Sequence, residues 1–239
     1  MWSLDETALD LVHRTWLDRP FKSGIDVLDD VFPDGIKARS VLEVYGDAES
    51  PKSLLLQHVA IAYLLHDERA QVHYFDHECM FSMELIKQML IARNPEETGE
   101  RLEKILERLT VYYCESSDDW SARIESLNAK LLRQRDILPL IAIDCIGSFH
   151  LIDKLVHYRL QDTLFNKKVT VYNQLKDLVR QHSATVIAAK NNYGDQGWKH
   201  TEYLPPEWTS QVIKRLHVRL IKGTGDTVTY ELKADGYVN

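Results

Sequence analysis

Apolar positions along the chain fall into two spacings that alternate. Residues 41–45, 138–144 and 184–190 are nearly continuous apolar runs, the pattern of strands buried on both faces. Further strands are predicted at 71–76 and 110–114. Between them lie helical spacings. Residues 52–66 are apolar almost all round, which predicts a deeply packed helix. Phe81, Leu85 and Met89 share a stripe on a helix over 81–92, which the segment NPEETG ends, and a following helix carries Leu102, Ile105, Leu106 and Leu109. The SSDD segment supplies a helix N-cap with acids in the first turn, ahead of a face of Trp120, Ile124, Leu127 and Leu131. A helix over 168–182 presents Val171, Leu175, Leu178 and Val179.

The two ends read differently. Residues 4–17 predict a short helix with Leu4, Ala8, Leu11 and Val12 on one side, flanked by Trp2 and Trp16. Residues 19–24 then read as a linker, and a short helix follows that Pro33 and Gly35 stop. At the other end Leu216, Val218 and Leu220 alternate with polar residues, KGTGD turns the chain, and Val228, Tyr230 and Leu232 alternate again, which predicts an antiparallel hairpin. Strands alternating with helices imply an α/β fold: a mostly parallel central sheet with helices on both faces, extended at one edge by the hairpin. The predicted organisation is an N-terminal segment, residues 1–20, and one core domain, residues 21–239.

Composition adds exclusions. With 44% hydrophobic and 27% charged residues in 239, the chain has an ordinary globular core. Its 29 Lys and Arg against 36 Asp and Glu leave a net charge of −7, so it is not a general nucleic-acid binder, and any DNA contact must come from a local patch or a partner. Cys79, Cys114 and Cys145 lie far apart with no zinc spacing and read as reduced thiols of the cytosol or nucleus. The acidic amphipathic start does not resemble a secretory signal, and no run approaches the roughly 18 apolar residues of a membrane span.

The candidate chemistry begins at residues 41–65, VLEVYGDAESPKSLLLQHVAIAYLL: an apolar strand, a loop opening with Gly46, the pair Lys52-Ser53, and a helix. That is the layout of a phosphate-binding P-loop, in which backbone N–H groups cradle phosphate, Lys neutralises charge and Ser holds magnesium. The second glycine position holds Pro51, which removes a donor and fixes φ, and Asp47 and Glu49 bring negative charge to a loop meant for anions. Asp144 ends an apolar strand, where it either reaches a nucleotide-bound magnesium or is a solvated acid. Glu78, beyond the second strand, either orients an attacking water or serves as an N-terminal acid of helix 81–92. In the long polar loop 191–208, Trp198 and Lys199 offer stacking and charge to single-stranded bases, or pack locally.

The order of these motifs resembles the RecA/Rad-type recombinase core. Gly24, Leu28, Asp29, Gly35, Ile36, Glu43 and Gly46 match its entry, Asp76 and Glu78 its acidic pair, LIAID its Walker B strand, and Trp208, Arg215 and Leu216 its W-x-x-x-x-x-x-R-L stretch. Within that family the chain is most similar to the recombinase paralogues of the X-ray-repair cross-complementing branch, which share a stretch like VYYCESS. It departs from the family at Pro51 and lacks a clear F-x-x-A motif, which weighs against ATP turnover and against self-polymerisation. The resemblance implies a RecA-like P-loop core and a nuclear mediator subunit. Its partners would be another paralogue, the recombinase filament and, through the complex, single-stranded DNA. Trp2, Leu11 and Trp16 would dock a neighbour unless the segment folds back on its own domain. ATP and magnesium would be bound weakly, at Gly46, Lys52, Ser53 and Asp144, or not at all. The alternatives are a working DNA-stimulated ATPase, with Glu78 as catalytic acid, and a RecA-like domain in an unrelated assembly.

Overall fold

The computed structural model describes residues 19–95, 99–134, 137–160, 170–193, 200–221 and 229–235. The strands are β1 (Val41–Gly46), β2 (Ala70–Asp76), β3 (Leu109–Tyr113), β4 (Leu138–Asp144), β5 (Thr185–Asn191), β6 (Lys214–Ile221) and β7 (Thr229–Asp235). They form one seven-stranded sheet in the order β3-β2-β4-β5-β1-β6-β7. Every pairing is parallel except β6 with β7, the C-terminal antiparallel hairpin. The α/β class, the mostly parallel sheet and the edge hairpin therefore agree with the sequence reading.

The helices are α1 (Asp26–Val31), α2 (Lys52–His66), α3 (Met83–Arg93), α4 (Glu100–Leu106), α5 (Ser117–Leu131), α6 (Ser148–Leu160), α7 (Thr170–His182) and α8 (Pro206–Thr209). Strand alternation divides the apolar residues between the two faces of the sheet. Leu42, Val44, Val72 and Leu140 pack with α2, α3 and α4 through Leu56, Ile86 and Ile105. Val41, Ile141, Ile143 and Val186 pack with α5 and α7 through Trp120, Ile124 and Leu175. Burial on both faces explains why β1, β4 and β5 read as unbroken apolar runs.

Several boundaries differ from the sequence reading, each for a local reason. Helix α3 starts at Met83, two residues late, because the Ser82 side chain caps it by accepting from Leu85 N–H. Leu109 belongs to β3, opposite Val72, and not to the preceding helix. Residues 19–24 are no linker: Phe21 is buried, exchanging backbone hydrogen bonds of 3.0 and 2.8 Å with Ile36. Helix α6 has no counterpart in the periodicity, because Ile152, Leu155 and Val156 are 59%, 66% and 42% exposed and blur its apolar stripe. Among the described residues, no helix is long and apolar enough to cross a membrane, and all the cysteines are free.

If α2 is the packing centre of its face, Leu56→Ala should cost about 3 kcal/mol in urea unfolding. Ile91→Ala, at a half-exposed position of α3, should cost under about 0.5 kcal/mol.

Candidate functional site

In a parallel sheet the C-terminal strand ends open on one edge, where α/β folds bind ligands. Here that edge gathers Lys52 and Ser53 after β1, Glu78 after β2, Asp144 at the end of β4 and Asn191 at the end of β5. Gly46, the first residue of the loop, does not use a left-handed conformation. Its place is reserved by space: a Cβ there would sit 2.2 Å from the Val218 carbonyl oxygen and 2.6 Å from Ser50 Oγ.

The loop 46–52 is folded on itself. Ser50 N–H and Ser50 Oγ both donate to the Asp47 carbonyl, at 3.0 and 2.7 Å. Pro51, at φ −80° and ψ 42°, centres a tight turn in which Lys52 N–H donates to the Ser50 carbonyl at 2.8 Å. The Lys52 ammonium, 4% exposed, donates to the Asp47 carbonyl at 2.5 Å and to Ser50 Oγ at 3.0 Å. Burial lowers the Lys52 pKa, against the opposing pull of Cys145, Glu78, Asp144 and Asp47. A phosphate would therefore meet a loop with no N–H at Pro51 and with the N–H and the ammonium of Lys52 already bonded within the protein. As arranged, the residues do not fit a triphosphate.

The groups that would hold magnesium are also engaged. Asp144 accepts from Tyr74 Oη at 3.0 Å and from the Ser53 side chain. Burial raises its pKa, and these hydrogen bonds only partly offset the effect. Glu78 accepts from Asn191 Nδ2 at 2.9 Å and from Ser148 Oγ at 3.3 Å. It lies outside the first turn of α3, so the reading as an N-terminal acid of that helix is corrected; Glu84 holds that place. Asp76 shapes the turn after β2, accepting from the N–H groups of Met80 and Phe81 at 3.0 Å each. The sequence-predicted Gly46, Lys52, Ser53, Glu78 and Asp144 are thus brought to one sheet edge. Trp198 and Lys199, and Trp2, Leu11 and Trp16, lie outside the described residues.

Sequence reasoning missed a buried charge cluster on the sheet face beside this edge. Glu43, in mid-strand and fully buried, lies opposite Ala188 of β5 and Arg215 of β6. Its carboxylate accepts from Trp208 Nε1 at 2.7 Å and Arg215 Nε at 2.9 Å, with His200 Nε2 at 3.1 Å and Lys190 Nζ at 3.7 Å. Glu202 in turn accepts from Lys190 Nζ at 2.9 Å and Arg215 at 3.0 Å. Glu43, His200 and Glu202 bring ligand-type atoms within 4.8 Å of one another, yet Lys190 and Arg215 already supply the cations there. The legible signal was one acid inside VLEVY and one lysine closing ATVIAAK.

No protein-family model matches the chain. It is 25% identical over 247 aligned positions to the DNA repair protein XRCC2 homolog of Arabidopsis thaliana, covering 83% of this chain and 65% of that protein. It is 26% identical over 202 positions to the DNA repair and recombination protein RadA of Methanoculleus marisnigri, covering 80% of this chain and 61% of that protein. The chain thus spans less than two thirds of the length of these curated relatives. The chain is thus similar to a DNA repair protein and to a DNA repair and recombination protein, and its mostly parallel sheet is consistent with a RecA-like core.

The cluster gives a pH prediction. Burial alone would raise the Glu43 pKa, but His200, Lys190, Trp208 and Arg215 together hold it at about 2, against 4.5 ordinarily. A carboxylate depressed in the folded state adds stability that is present above its unfolded value and lost as pH falls through the folded one. Glu43 should therefore contribute on the order of 3 kcal/mol at neutral pH, fading between pH 4.5 and about 2. Glu43→Gln removes one of the two carboxylates that face Lys190 and Arg215, and should cost about 3 kcal/mol in urea unfolding at neutral pH. The gap to wild type should narrow as the pH falls through that window. An undiminished gap would contradict the assignment.

Proposed function

We propose that the chain is a recombinase paralogue that works by binding, as a mediator subunit in homologous-recombination DNA repair, and not by turning over ATP. Two similarities support the repair role, one to a protein named for DNA repair and one to a recombination protein. The observation that carries the binding-only reading is the Lys52 ammonium, buried and bonded to its own loop. In this reading residues 21–239 form the core and residues 1–20 dock a second paralogue through Trp2, Leu11 and Trp16. The heteromer acts in the nucleus, engages the recombinase filament, and meets single-stranded DNA at Trp198 and Lys199. With a net charge of −7, the chain alone holds DNA poorly, and salt weakens that binding further.

The DNA-stimulated ATPase remains the second reading, because Lys52, Ser53, Glu78 and Asp144 stand at one sheet edge. Titration with a fluorescent ATP analogue and magnesium separates the two. The binding-only reading expects no saturation in the micromolar range, and a gain on Pro51→Gly that Lys52→Ala then removes. Micromolar affinity with turnover in the wild type would establish the ATPase instead.

Partner binding is tested by co-expression with a second recombinase paralogue and with the recombinase. The full chain should co-purify as a heteromer, and a chain beginning at Pro20 should pair at least about tenfold more weakly, a loss of roughly 1.4 kcal/mol. Equal pairing would remove residues 1–19 from the interface. A full chain that stays monomeric and binds neither protein would refute the mediator role. In the assembled complex, replacing Trp198 and Lys199 together by Ala should weaken binding of single-stranded DNA by about 1–3 kcal/mol.

A further inference from the structure

The chain enters its core at the C-terminal end of α2. Phe21 packs edge-on against Tyr63 at 4.8 Å and lies 6.2 Å from the His66 ring. Burial lowers the His66 pKa, Asp67 opposes that, and the positive charge of Arg19 adds to it, which sets Arg19 near His66. A hollow of about 530 Å³ opens at this entrance, walled by Pro20, Lys22, Ala62, Leu65 and Asn94. It adjoins a second hollow of about 670 Å³ through Leu65 and Asn94, which line both. Buried Leu64 and Ile105 line the second hollow together with exposed Arg101 and Lys104 of α4. The two hollows make one groove from Pro20 to α4.

Charge in this groove is sorted. Arg101, Lys104, Ile105 and Arg108 fall at i, i+3, i+4 and i+7 and line it, whereas Glu100, Glu103 and Glu107 do not. Arg108 is turned inward, donating to the carbonyls of Leu64, Asp67 and Ala70. Of the acids that line the groove, Asp67 and Glu68, the first already pairs with Arg69 at 2.8 Å. The occupant that fits is therefore an apolar face with a carboxylate set into it. Residues 1–18 supply such a face. Their acids Asp5, Glu6, Asp10 and Asp18 stand against Arg14. On the predicted helix over 4–17, Asp5 shares a stripe with Leu9, Val12 and Trp16, at i+4, i+7 and i+11. An acid within an apolar stripe needs a cation where that stripe is buried.

We propose that this groove seats the chain's own residues 5–16, with Trp16 where the two hollows meet and Asp5 on Arg101 and Lys104, as long as no partner holds the segment. The tether sets the order. Trp16 stands three residues before Arg19, at most about 11 Å of extended chain, so it reaches the entrance first. Asp5 lies eleven residues further, about 17 Å along a helix, on the way to α4. Burial of Leu9, Val12 and Trp16 on Leu64, Leu65 and Ile105 drives the seating, and the Asp5 pair fixes its register. Trp16 is also an anchor of the docking proposed above, so a paralogue that takes it must first lift the segment out. The seat belongs to the isolated chain and does not rest on the mediator role.

The test uses the full chain without a partner. Zero-length carbodiimide crosslinking of the wild type, read by peptide mass spectrometry of the monomer, should join the Asp5 carboxylate to the Lys104 amine. Amide hydrogen exchange over residues 8–16 should be at least about tenfold slower than in a free peptide of residues 1–18. Arg101→Glu with Lys104→Glu should remove most of that protection, and adding Asp5→Lys to the pair should restore it. Absence of the crosslink overturns the proposal, as does exchange as fast as in the free peptide. So does protection that the charge reversals leave unchanged. Protection that rises in proportion to protein concentration overturns it too, by placing the segment on a second copy. The crosslink and the wild-type exchange need no substitution, so the test stands even where a variant folds poorly. A chain that seats its segment but binds no paralogue would refute the mediator role and leave the groove assignment standing.

Discussion

A buried ammonium has to find acceptors, and Lys52 finds them in its own loop. That constraint organises the strand-to-helix junction. The Asp47 carbonyl receives Ser50 N–H, Ser50 Oγ and the lysine. Pro51 completes the closure, since its ring favours the tight turn that turns Lys52 N–H back onto Ser50. A glycine at 51 would leave both an N–H and a wider choice of φ. The loop therefore behaves as a staple between β1 and α2, and the groups beyond it follow suit. Ser53 bonds Asp144, Tyr74 bonds the same carboxylate, and Glu78 bridges to α6 and β5 through Ser148 and Asn191. Side chains that elsewhere serve a ligand here serve one another.

A second buried set sits one strand face away and obeys the same rule. Glu43 interrupts an apolar strand, which is tolerable only because β5 and β6 flank β1 and deliver Lys190 and Arg215 to it. Strand order, not sequence proximity, makes the cluster: Glu43 and Arg215 are 172 positions apart. The cluster also fixes the path of the chain from β5 to β6, because Trp208 and Glu202 both hang from it. Glu202, Trp208 and the strands β1, β5 and β6 are thus tied together through one buried cluster.

Much of the fold was legible because burial on both faces writes a plain signal. Residues 52–66 and 138–144 match their elements end to end, since apolar runs that long have few other uses. The sequence failed where apolar residues point outward, as Ile152, Leu155 and Val156 do on α6, and where a single residue such as Phe21 anchors a stretch otherwise rich in turn formers. The site was half legible. Lys52, Ser53 and Asp144 follow a spacing that local geometry imposes. Glu43, Lys190, His200 and Glu202 have no spacing to read, because two different strands and the chain ahead of β6 bring them together. Pro51 announced a lost donor, but not that the lysine would turn inward.

The closed loop is the central claim, and amide hydrogen exchange over residues 46–53 tests it most directly, with and without magnesium and ATP at millimolar concentration. The account predicts that the Ser50 and Lys52 amides are protected without nucleotide and that nucleotide changes them less than twofold. Slowing of these amides by about tenfold or more on adding nucleotide, equivalent to roughly 1.4 kcal/mol of coupling, would contradict it.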